Sequence, residues 1–84
     1  MNERERRERA VRERVLAELK TLEKNTGFKI NEAFLEAGGY MRLADSLLHF
    51  ASREHDKRTA IEIFSVGVNI GKLAQQERKV NHAE

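Results

Sequence analysis

Apolar residues recur along this chain at helical spacing. Val11, Val15, Leu19 and Leu22 follow one another at intervals of four, four and three, with Leu16 widening the stripe to one side. That pattern predicts a helix capped by Asn2 and closed before Gly27, where a left-handed residue is wanted after Asn25 and Thr26. Ahead of Val11 almost nothing is apolar. Glu3 and Arg7, Glu5 and Arg9, and Glu8 and Arg12 stand there in the favourable i, i+4 order, so residues 1–10 read as a solvated, charged helical arm.

A short second helix is expected from Asn31 to the Gly38-Gly39 pair, with Ile30 placed to contact Leu35 as a hydrophobic staple. From about Tyr40 to His55 a third helix gathers Tyr40, Met41, Leu43, Ala44, Leu47, Leu48, Phe50 and Ala51 on half its circumference. Arg42, Asp45, His49 and Arg53 occupy the other half.

The fourth segment is ambiguous by propensity, because IEIFSVGVNIG is β-branched and contains two glycines. Read as a strand, one face would carry Ile61, Ile63, Ser65, Gly67 and Asn69, which mixes polar and apolar positions. Read as a helix, Arg58, Glu62, Ser65, Asn69, Lys72 and Gln76 collect in a wedge of about 80°. The helix is therefore expected, starting at Thr59 with the capping box Thr59-Ala60-Ile61-Glu62. Its wide apolar arc demands burial on several sides. Ala60, Gly67, Gly71 and Ala74 form a small-residue line flanked by Ile63, Val66 and Ile70 on one side and by Phe64, Val68 and Ile61 on the other, a pattern suited to a close helix crossing. Whether that crossing joins two copies or lies within one chain is open in the sequence, and dimerisation across Ala60, Ile63, Phe64, Gly67, Val68, Gly71 and Ala74 is the favoured expectation.

The expected architecture is thus all-α: a single domain over residues 1–84, a small bundle of three long helices and one short one, dimeric, with a frayed tail over 81–84. The chain lacks proline, which suits long helices, and lacks cysteine, which removes disulfides and thiolate metal sites and fits a cytoplasmic location. No apolar run approaches the roughly 18 residues of a membrane span, so a soluble protein with no membrane association is expected.

Charge separates along the chain although the net balance is only +2. Residues 1–29 carry +3, residues 30–56 carry −3 and residues 57–84 carry +2. Neutralisation of one segment by another is the plain reading.

Catalysis finds little support. Ser46, Ser52 and Ser65 are ordinary helix positions, and Asp45 and His49, one turn apart beside Arg42 and Arg53, suit a partner-binding patch or a solvated charge ladder better than an acid–base pair. His49 and His55 are six residues apart and fall on different sides of one helix, so no metal site is expected, and nothing calls for a cofactor. The sequence therefore points to a non-enzymatic protein-binding module that regulates, inhibits or adapts a larger protein. The alternative is a nucleic-acid-binding regulator that uses Arg4, Arg6, Arg7, Arg9, Arg12 and Arg14 of the arm, against which Glu3, Glu5, Glu8 and Glu13 are interleaved.

Overall fold

The computed structural model describes residues 2–82, with the side chains of 32–38 and 77–82 excepted. Three helices account for the described residues, α1 (Glu3–Thr26), α2 (Glu32–Arg53) and α3 (Lys57–His82), and no strand occurs among them. The IEIFSVGVNIG segment lies within α3, so its 3.6-residue periodicity overrides the β-propensity of its side chains.

Both ends of α1 follow from local chemistry. The Asn2 side chain accepts a hydrogen bond from the Glu5 backbone N–H at 2.8 Å, satisfying one of the donors a helix start leaves unpaired. At the other end Gly27 adopts φ 77°, and its N–H donates to the Glu23 carbonyl at 2.8 Å. The Phe28 N–H then donates to the Thr26 hydroxyl, and the Phe28 ring meets Phe50 of α2 edge-on with centroids 5.6 Å apart.

Within α2 only Gly39 leaves the helical range (φ 79°, ψ 170°), so two helical segments meet at a kink there, at the Gly38-Gly39 pair where the short helix is expected to end. A positive φ of this kind is open to glycine at little steric cost, which is why the chain can bend there without a loop. The proposed Ile30–Leu35 staple lies outside the described side chains. The start of α3 moves upstream of the expected one, because Asp56 caps it in place of Thr59. The Asp56 carboxylate accepts from the Thr59 N–H at 2.9 Å and the Asp56 carbonyl from the Ala60 N–H, so Thr59 is a first-turn residue.

That cap carries a pH signature. The hydrogen bond from the Thr59 backbone lowers the Asp56 pKa below its ordinary carboxylate value; desolvation opposes it, and the Thr59 side chain and the Arg58 backbone add smaller lowering contributions. A carboxyl depressed in the folded state contributes stability above its unfolded pKa and loses it as pH falls through the folded one. Asp56→Ala should therefore lower the melting temperature by a few degrees at neutral pH, with the difference from the parent chain shrinking below about pH 4. Thermal melts followed by circular dichroism at both pH values check this; an unchanged neutral-pH melting temperature would remove Asp56 as the cap.

The core is built around α3. Ile63, Val66, Ile70 and Leu73 repeat at three, four and three and are buried against Val15 and Leu22 of α1 and Leu43, Ala44, Leu47 and Ala51 of α2. No polar or charged residue is buried among the described residues, and no buried side-chain polar atom lacks a partner. Both α1 and α2 pack along α3. They meet each other through side chains: Tyr40 shares a small crevice with Arg12, Val15 and Leu16. The long dimension of 43 Å, against 20 and 19 Å across, is close to the lengths of α1 and α3, whose 24 and 26 residues span about 36 and 39 Å.

Candidate binding surface

The feature that most departs from a finished core lies on α3. Its buried side faces α1 and α2, yet Ile61 and Phe64 remain 64% and 54% exposed, with Val68 half-buried beside them. These three recur at three and four along the helix and so form one stripe. On α2, Met41 (41% exposed) and the half-buried Leu48 stand two turns apart on the flank turned away from Phe28 and α1. The stripes adjoin where Leu48 crosses Gly67: the Leu48 Cδ2 atom lies 3.1 Å from the point where a Gly67 side chain would begin. Leu48, Phe64 and Val68 thereby adjoin across the two helices, with Ile61 and Met41 toward opposite ends of the strip.

The small-residue line divides across this arrangement. Ile63, Gly67 and Ala74 are buried inside the protomer, Phe64 is exposed, and Ala60, Val68 and Gly71 lie half-buried at the border. Gly67 is where α2 and α3 come closest, with the Leu47 Cβ 3.2 Å and the Ala44 carbonyl 3.4 Å from its would-be Cβ. Gly71 is roomier, with only the Ala44 Cβ at 3.8 Å. Sequence reasoning named α3 as a crossing helix but did not single out Ile61, Met41 and Leu48 as one surface. The available signal was the width of the α3 arc, which exceeds what two neighbouring helices cover.

The partner-binding candidates Arg42, Asp45, His49 and Arg53 are all exposed on the polar side of α2. The ring of His49 lies 6.5 Å from that of Phe50, and no hydrogen bond or ion pair joins His49 to Asp45 among the described residues. This is an open polar face and holds no enclosed site. Among the described residues no group of three or more His, Asp or Glu side chains is placed to hold a metal ion.

Arg4, Arg6, Arg7, Arg9, Arg12 and Arg14 are likewise exposed along α1. Arg7 pairs with Glu3 at 2.7 Å and Arg4 with Glu8 at 3.5 Å, so Glu8 is engaged from the preceding turn and not by Arg12 as its spacing allows. At 100° per residue, Arg6 and Arg9 share the solvent side of α1 with Lys20 and Lys24, interrupted by Glu13. No helix among the described residues is long and apolar enough to cross a membrane.

No protein-family model, curated protein or solved structure matches this chain.

Proposed function

We propose that this chain is a non-enzymatic helical protein-binding module, acting as a regulator, inhibitor or adaptor of a larger protein, and that it docks through the α2–α3 apolar face. The observation that carries this reading is the exposure of Ile61 and Phe64 on α3, with Leu48 of α2 packed at Gly67 next to them. A small domain has few large apolar side chains to spare from its core, and a contiguous exposed group of them spanning two helices marks an interaction surface. Two antiparallel helices presenting such a strip suit an amphipathic helix laid along it.

The test compares proteins captured from a native lysate by the parent chain and by Phe64→Glu, both with nuclease treatment. A protein retained stoichiometrically by the parent and lost with Phe64→Glu is the expected result. Equal capture by both would remove the apolar face as the docking surface.

A nucleic-acid reading has one observation in its favour, the exposed Arg6, Arg9, Lys20 and Lys24 on one side of α1 while Arg4 and Arg7 occupy Glu8 and Glu3. It requires binding that weakens steeply with salt and is lost on Arg6→Glu with Arg9→Glu. Glu13, in the middle of that ridge, argues for the protein partner.

A further inference from the structure

We propose that the resting occupant of the α2–α3 apolar face is a second copy of this chain, paired about a two-fold axis parallel to the helices; the inference rests on reading that face as a docking surface. Three features of the chain bear on it. The first is geometry. Helices α2 and α3 are antiparallel neighbours joined by the short stretch 54–56. A two-fold along them sets α2 over the partner's α3 and α3 over the partner's α2, so each new contact is antiparallel and Leu48 comes level with the partner's Val68 and Phe64. The product is a four-helix core of the up-and-down kind that covers this face, while Phe50, 46% exposed on the opposite flank of α2, lies outside it.

The second feature is charge at the rim. Ala44 of α2 and Gly71 of α3 are level with each other, since the Ala44 Cβ lies 3.8 Å from the Gly71 Cβ position. The next residue in each helix is Asp45 and Lys72, and because the helices run antiparallel these two lie about 3 Å apart along the axis. Both are exposed, and each stands on the outer edge of its own apolar stripe, Asp45 beside Met41 and Leu48, Lys72 beside Val68. Neither makes an ion pair among the described residues. The two-fold brings Asp45 to within about 3 Å in height of the partner's Lys72 at one edge and repeats the pair at the other, so one acidic and one basic side chain on opposite edges of the face complement each other. A two-fold perpendicular to the helices would instead set like helices against each other and oppose acid to acid.

The third is the crossing at Gly67. There α2 and α3 are drawn close by direct contact with Leu47 and Leu48, which sets the Leu48 edge of α2 beside the Phe64–Val68 edge of α3. Docking of a larger protein on the same face then proceeds by exchange with the second copy, which makes the accessible fraction of the module concentration-dependent.

Sedimentation equilibrium of the full chain tests this over micromolar to millimolar concentrations. The parent chain should be a dimer, and Phe64→Glu a monomer of unchanged helicity. Asp45→Lys and Lys72→Asp should each weaken the dimer about tenfold, and the double variant should recover most of that loss, because the swap restores both rim pairs. Should Phe64→Glu fail to fold, Ile61→Glu at the more exposed position serves in its place. A parent chain that stays monomeric throughout, a dimer indifferent to both glutamate variants, or a double swap no better than its singles overturns the proposal. A monomeric parent that still loses a lysate partner on Phe64→Glu overturns the self-association alone, whereas a dimer whose capture is unchanged by Phe64→Glu overturns the docking function alone.

Discussion

Gly67→Leu should destabilise the fold by at least about 3 kcal/mol, a large share of the stability of a domain this size. The reason is local and steric. A Cβ at Gly67 already meets the Leu48 Cδ2 at 3.1 Å, the Leu47 Cβ at 3.2 Å and the Ala44 carbonyl oxygen at 3.4 Å. Leu48 can swing its terminal carbon aside, but the Leu47 Cβ and the Ala44 carbonyl belong to the α2 scaffold and move only with the helix. A leucine must therefore push α2 away from α3 and open the contacts of Leu43, Ala44, Leu47 and Ala51 together. Gly71→Ala is the control, four residues on along α3. Its new methyl meets only the Ala44 Cβ at an ordinary 3.8 Å, and replacing a helical glycine by alanine gains about 0.5–1 kcal/mol. Urea unfolding of the two variants should give midpoints on opposite sides of the parent. Equal behaviour would mean that the helices do not cross at Gly67.

How much of this was readable beforehand depended on whether a feature was decided within a few residues of itself. Asn2 and Gly27 were legible because a cap is a local bargain between one side chain or one backbone angle and the nearest unpaired groups. The α3 start misled for the same local reason. Thr59 and Glu62 match a capping box, but Asp56 stands three residues earlier and its carboxylate takes the Thr59 N–H first, so two valid signals competed. Gly38-Gly39 was legible as a break for the same local reason, since the positive φ that glycine admits at Gly39 is where the helical path of α2 is interrupted.

The candidate surface was legible only in half. Periodicity assigned Ile61, Phe64 and Val68 to the apolar arc of α3 but could not tell the covered part of that arc from the bare part. That distinction belongs to the positions of α1 and α2, which meet α3 on the sides carrying Val66, Ile70 and Leu73 and carrying Gly67. Met41 and Leu48 were hidden in the same way inside the apolar half of α2. The small-residue line correctly signals close approach, yet a single helix carries no information on which neighbour approaches it, and Gly67 turns out to receive Leu47 and Leu48 of its own chain.

Leu47→Ala should cost about 3 kcal/mol or more of folding stability, while Phe64→Ala should cost well under half of that, although it removes the larger side chain. Leu47 is fully buried between Gly67 and the rest of the core, so truncation forfeits both its transfer energy and the contacts around the cavity it leaves. Phe64 is more than half exposed, and folding of the isolated chain removes only the smaller part of its ring from water. The order reverses for association. A side chain held out of water only by a partner contributes to binding and not to folding, so Phe64→Ala should weaken the dimer while leaving the monomer's unfolding midpoint nearly in place, and Leu47→Ala should lower the midpoint at every concentration. Denaturation of both variants at several protein concentrations separates the two. If Phe64→Ala unfolded as readily as Leu47→Ala in dilute solution, Phe64 would belong to the protomer's core, and the apolar face of α2 and α3 would not be a surface at all.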